Sequence, residues 1–103
     1  MRPIHLASLD KTRPVLVLTR EVARSRLTSV TVAPITSRVR GITTEVVVGP
    51  ANGLDHECAV SCDNIRTIPV TELGRLVGHL LPDQEEGLAR AISRAFDLES
   101  DHL

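Results

Sequence analysis

The apolar residues of this chain fall in short runs rich in β-branched side chains, and only one stretch carries helical spacing. Pro14–Thr19 (PVLVLT) is long enough for a buried strand and too short for a typical helix. Val30–Ile35 and Thr43–Val48 (TTEVVV) suit half-buried strands, where branched side chains pack well on a pleated surface. Ile4–Leu9 reads as a weaker first strand, set off by a turn at Asp10–Thr12. Gly49–Asp55 (GPANGLD) is a loop by its Gly, Pro and Asn content. Cys58–Cys62 and Ile65–Val70 give two further strands meeting at Asp63–Asn64, and Leu76–Leu81 gives a last one.

The helical stretch opens with Asp83 as a cap and Glu86 three residues later, a capping-box pattern. Leu88, Ala91, Ile92, Ala95 and Phe96 then share one helical face. Short strands, tight connections and one closing helix predict a mostly β fold with a C-terminal helix. The expected form is a small, strongly curved antiparallel barrel, one domain over residues 1–103. With one Phe and no Trp or Tyr, the core must be aliphatic. A single-stranded nucleic-acid site on such a chain would have few aromatic stacking platforms.

A formal net charge of -1 argues against a nucleic-acid partner until the chain is divided. Residues 1–50 hold eight Lys/Arg against three Asp/Glu, whereas residues 51–103 hold four Arg against ten Asp/Glu. A basic half can meet RNA or an acidic peptide while the acidic half maintains solubility; two solvated faces without a partner explain the same asymmetry. No apolar run is long enough to span a bilayer, and the start has no leader-like apolar region. Cys58 and Cys62, four apart in a strand-like run, would lie roughly 13 Å apart, too far for a disulfide. With His56 they match no familiar zinc spacing, so no metal and no cofactor is expected.

Three segments carry a resemblance. They are Thr12-Arg13-Pro14 with the apolar run behind it, Val32-Ala33-Pro34-Ile35-Thr36-Ser37, and Val60-Ser61-Cys62-Asp63-Asn64-Ile65-Arg66-Thr67-Ile68. In this order, with a terminal helix after a Pro, the chain resembles the MazF/Kid/PemK toxin family over nearly its whole length. The resemblance implies an SH3-like barrel, a homodimer, and a bacterial, cytoplasmic toxin of a type II toxin–antitoxin pair. It implies an endoribonuclease that cuts single-stranded RNA (messenger, ribosomal or transfer) without a metal. The products would be a cyclic phosphate and a free 5′-hydroxyl, and a cognate antitoxin's flexible tail would inhibit the enzyme by covering its site. A non-enzymic relative of the same fold, a CcdB-like toxin that binds DNA gyrase, is the alternative. Two departures stand out. The loop before Arg13 is shorter than the family's, and Ser61 occupies a position where some members carry an arginine proposed as the catalytic acid.

The implied reaction needs a 2′-hydroxyl deprotonated, phosphorane charge stabilised and the 5′-oxygen neutralised. Arg13 suits the second task, because a planar guanidinium grips two phosphate oxygens. Thr36 can hydrogen-bond a non-bridging oxygen and hold the in-line geometry. Asp63 is the acidic residue of the matched motifs that can serve as base, given burial or hydrogen bonding to tune it. Ser37, Arg38, Arg40, Asn64, Arg66 and His5 are the expected RNA contacts. Each also has a plainer reading. Arg13 alone is a solvated turn residue, Thr36 a loop hydroxyl bonded to backbone, and Asp63 a turn residue bonded to its own chain. Arg66 can pair with Asp63, with phosphate, or with neither, and His5 can simply pack.

Overall fold

The computed structural model describes residues 1–98, so the expected span of 1–103 reaches five residues beyond what is described. Seven strands run β1 (Pro3–Ser8), β2 (Thr12–Val17), β3 (Ser29–Thr36), β4 (Glu45–Val48), β5 (Cys58–Ser61), β6 (Arg66–Pro69) and β7 (Leu73–His79). A one-turn helix, α1 (Glu21–Arg24), interrupts β2 and β3, and α2 (Glu85–Ala95) closes the chain. Among the described residues, no helix is long and apolar enough to cross a membrane.

All pairings are antiparallel, in the order β4-β5-β3-β2-β1-β7, with β6 pairing β3 off this path. The expected curved antiparallel β fold with a C-terminal helix is found, and its sheet is open: β4 and β7 are not paired. The bend is made by β3. Its residues 29–32 pair with β6 and its residues 35–36 with β5. Pro34, which brings no backbone donor, falls in the gap between the two partners.

This folding gives β2 and β3 a core on each face. Leu16, Ala33 and Ile35 pack with Ile4, Val60, Leu80 and the buried side of α2 (Leu88, Ala91). Val15 and Val17 pack the other way, with Val30, Val32 and Ile68. Burial on both faces is why residues 15–17 form an unbroken apolar run rather than an alternating one.

Several boundaries differ from expectation for local reasons. The β1–β2 hairpin carries pairing through Ser8 and Thr12, so the turn sits at residues 9–11 and β2 ends before Thr19. Thr43 and Thr44 belong to the turn before β4, and Cys62 to a 3-10 turn (Cys62–Asn64) after β5. β7 starts three residues earlier than expected, because β1 pairs with Leu73 and Leu76 as well.

The Asp83/Glu86 cap is not made either. Residues Pro82–Gln84 form a 3-10 turn, and Gln84 turns inward, its Oε1 accepting from Leu81 N (2.8 Å) and from Asn52 Nδ2 (2.7 Å). Asn52, 2% exposed, also donates to the His79 carbonyl (3.0 Å) and accepts from Gly49 N (3.0 Å). A buried amide with all these partners ties the 49–53 turn to β7 and to the base of α2. Phe96, expected on the apolar helical face, caps α2 and is exposed.

Two consequences are measurable. A Cβ on Gly78 would collide with the Asn52 carbonyl oxygen, backbone that cannot swing away. Gly78→Ala is expected to lower stability by about 3 kcal/mol, read as a lower urea midpoint; an unchanged midpoint would show that this approach is not needed. Cys58 and Cys62 are free and buried. Burial, with Asp63 adding its charge, pushes the Cys62 thiol from 9.0 up to about 11. The unfolded thiol thus ionises at lower pH than the folded one, and stability should fall as pH rises from 9 towards about 11. Cys62→Ala should flatten that slope, whereas an equal slope in the variant would assign the loss to other groups.

Candidate active site

The pairing of β2 with β3 sets the geometry of the site. Val15 stands opposite Pro34. Arg13 lies two residues before Val15 and Thr36 two residues after Pro34, so strand alternation carries both to the face of Val15 at the end where this pairing stops. The two side chains line one groove of about 750 Å³, within the range of small-ligand sites. Its apolar lining is Leu9, Pro34, Ile42 and Ile65. Its charged lining is Arg13, Arg38, Arg40 and Arg66 against Asp10, Glu45 and Asp63, a surplus of one positive charge. Both charge-biased halves of the chain contribute.

Arg13 holds Asp10 through Nη2 (3.3 Å). Its Nε is buried and lacks a hydrogen-bond partner among the described residues. An orphaned buried donor costs about 1–3 kcal/mol, and such exceptions cluster where a function demands them. Asp10 in turn is drawn below the usual carboxylate range. Desolvation, the largest single effect, pushes it up, and the Lys11 and Asp10 backbone N–H groups with the Arg13 and Lys11 charges together outweigh that.

Thr36 Oγ1 accepts from the Arg38 backbone N–H (3.1 Å). That bond occupies an oxygen lone pair and leaves the hydroxyl proton free to be donated into the groove. Asp63 also lines the groove; of the burial or hydrogen bonding expected for it, it has the second, being exposed with its Oδ2 accepting a 2.6 Å hydrogen bond from Thr44. Beside it Asn64 Nδ2 donates to Ser61 Oγ (2.8 Å), and both residues line the groove. Arg66 makes no ion pair among the described residues; of its open alternatives, pairing with Asp63 is not the one found.

Seven of the nine residues expected from sequence thus share the groove: Arg13, Thr36, Asp63, Arg38, Arg40, Asn64 and Arg66. Two do not line it. Ser37 is exposed beyond the end of β3. His5 stands opposite Val15, two residues along β1 from Ala7, the partner of Arg13; its Nδ1 meets the Gly74 carbonyl of β7 (2.9 Å). Sequence reading passed over Asp10, Thr44 and Glu45, which bond to groove residues or to the loop that carries them. Only Asp10, three residues from Arg13, left a visible spacing signal.

Comparison with known proteins places this arrangement among relatives. Residues 4–96 match the family described as PemK-like, MazF-like toxin of type II toxin-antitoxin system. The chain is 64% identical over 99 residues to a protein of Mycobacterium tuberculosis (strain H37Rv) named Endoribonuclease MazF3, covering 96% of both. It superposes on the structure described as Mycobacterium tuberculosis toxin MazF-mt6 with a TM-score of 0.94, at 63% identity, covering 96% of this chain and 100% of that one. A more distant structure, described as an endoribonuclease in complex with its cognate antitoxin from Mycobacterial species, gives a TM-score of 0.85 at 25% identity, covering 95% and 94%.

Proposed function

The chain belongs to the PemK-like, MazF-like toxins of type II toxin–antitoxin systems, and on that footing we propose that its groove cleaves single-stranded RNA, with Arg13 and Thr36 on the scissile phosphate. The observation that carries this reading is the orphaned Arg13 donor lying across the sheet from a hydroxyl whose proton is free. A phosphodiester supplies what both lack. Two of its oxygens can take two guanidinium N–H groups together, and a third contact comes from Thr36.

In the proposed reaction the 2′-hydroxyl loses its proton to Asp63, and the 2′-oxygen attacks phosphorus in line with the 5′-oxygen. The bond from phosphorus to the 5′-oxygen breaks, leaving a 2′,3′-cyclic phosphate. The departing oxygen takes a proton from water in the open groove, because Ser61 offers no cationic acid there. Arg13 neutralises the charge that builds on the phosphorane, the kind of preorganised stabilisation that is usually the largest single term in catalysis. Thr44, hydrogen-bonded to Asp63, fixes the direction in which that carboxylate faces. Arg38, Arg40, Arg66 and Asn64 contact the flanking nucleotides in this scheme.

The same reading gives the protein an antitoxin whose tail occupies the groove, a homodimer as the working unit, and the bacterial cytoplasm as its place. The antitoxin-bound relative is consistent with the first. The gyrase-binding alternative has nothing to support it, either in the groove or among those relatives.

A long single-stranded transcript incubated with the purified protein in EDTA should yield discrete cuts with 5′-hydroxyl and cyclic-phosphate ends. Arg13→Ala and Thr36→Ala should each slow cutting by at least about 10²–10³-fold. Because Arg13→Ala also removes a buried unpaired donor, that variant should melt no lower than the wild type. Cutting by both variants at the wild-type rate would refute the assignment, and toxicity in cells without any RNA cleavage would return the gyrase-type alternative.

A further inference from the structure

The groove wall that carries Arg38 and Arg40 is an exposed loop, residues 37–44, between β3 and β4. Exposed loops of this length order only where something holds their backbone. Thr36 holds one end, through Arg38 N. The middle is held by one atom: Glu45 Oε1 accepts from the backbone N–H of Arg40 and from that of Gly41, each at 3.0 Å. Glu45 N closes the same turn by donating to the Ile42 carbonyl (3.1 Å). Gly41, at φ +72°, supplies the left-handed residue that lets two successive N–H groups converge on one oxygen.

Glu45 itself stands on paired strand, opposite Ser61 in β5, so the clasp is anchored to the sheet. Its side chain also lines the groove. A carboxylate there repels phosphate, which makes it a poor choice for an RNA site unless the residue does something else.

We propose that Glu45 is a positioning residue: its carboxylate works as a backbone hydrogen-bond acceptor that fixes Arg38 and Arg40 on the groove wall, and RNA affinity depends on that fixing more than the charge of Glu45 opposes it. The inference rests on the RNA-cleaving reading above. It separates acceptor from charge, which substitution can do. Gln keeps an Oε1 able to accept both N–H groups and drops the charge; Ala drops both.

The test compares wild type, Glu45→Gln and Glu45→Ala by three measurements. The first is amide hydrogen exchange of Arg40 and Gly41 in the free protein. The second is binding of a 2′-O-methyl single-stranded RNA spanning a wild-type cut site. The third is kcat and KM on the unmodified RNA. In Glu45→Ala, exchange at both amides should quicken at least about tenfold, Kd and KM should rise about tenfold, and kcat should stay within about twofold, since Arg13 and Thr36 are untouched. Glu45→Gln should keep slow exchange and bind RNA as tightly as wild type or more tightly.

The proposal is overturned if Glu45→Ala exchanges and binds like wild type, or exchanges faster with no loss of affinity. It is equally overturned if both variants bind more tightly, which makes charge the whole effect, or if Glu45→Gln is as weak as Glu45→Ala, which makes the charge essential. A wild type that neither binds nor cuts the RNA removes the nuclease reading itself, and with it the inference. The exchange measurement tells that case apart, because it needs no RNA.

Discussion

The register between β2 and β3 is the constraint from which the site follows. Because side chains alternate faces along a strand, a slip of one residue would send Arg13 and Thr36 to opposite sides of the sheet. Slippage is prevented by cores on both faces. Leu16, fully buried against α2, and Val15 and Val17, buried against β6, each lock the pairing from their own side. A strand with one solvated face would have only half of this protection. Two residues separated by more than twenty positions in the chain thus become neighbours through packing some way from either of them.

The same arrangement explains why β3 carries so much of the molecule. Its first half meets β6 and its second half β5, so the groove opens where the neighbour changes, beside Pro34. Backbone pairing is interrupted there, and side chains are left to satisfy what remains. Thr36 accepts from Arg38, Thr44 donates to Asp63, and Glu45 gathers Arg40 and Gly41. Among the described residues, the buried side-chain donor left without a partner is the Arg13 Nε. In the proposed function that orphaned donor is stability forgone in the empty groove and recovered on phosphate.

Much of this was legible in the sequence, for identifiable reasons. Residues 15–17 had to be a core strand because nothing else buries three consecutive branched or long aliphatic side chains in so short a span. The helix face of Leu88 and Ala91 followed from spacing alone. The open sheet was not legible: whether β4 and β7 meet depends on how far β3 bends, and no residue type announces that. The Asp83/Glu86 pattern gave a correct helix and a wrong cap, since Gln84 is claimed by buried Asn52, 32 residues away. The short α1 has too few residues for any period to show. Within the site, the residues of the matched motifs converged, whereas His5 was picked from the resemblance and turns to the Gly74 carbonyl instead of lining the groove. Thr44 escaped because it bonds Asp63 across two loops, and Glu45 because a strand residue that gathers the N–H groups of the loop before it fits no standard cap or turn pattern.

The composition has a final consequence for how such a groove recognises its ligand. The only aromatic side chain, Phe96, caps α2 and lies outside the groove. In the RNA-cleaving reading, bases cannot be gripped by the aromatic stacking that single-strand binders commonly use. Guanidinium planes and amide edges must serve: Arg38, Arg40 and Arg66 for stacking and phosphate, Asn64 for base edges. Guanidinium groups on a flexible wall lose affinity to the cost of ordering them and select little, because they follow the strand wherever it lies. Held at fixed positions, the same groups discriminate by geometry. A groove of this composition therefore depends on the rigidity of its arginine-bearing loop in a way that an aromatic-lined one would not, and a carboxylate at its edge is tolerable because it supplies that rigidity.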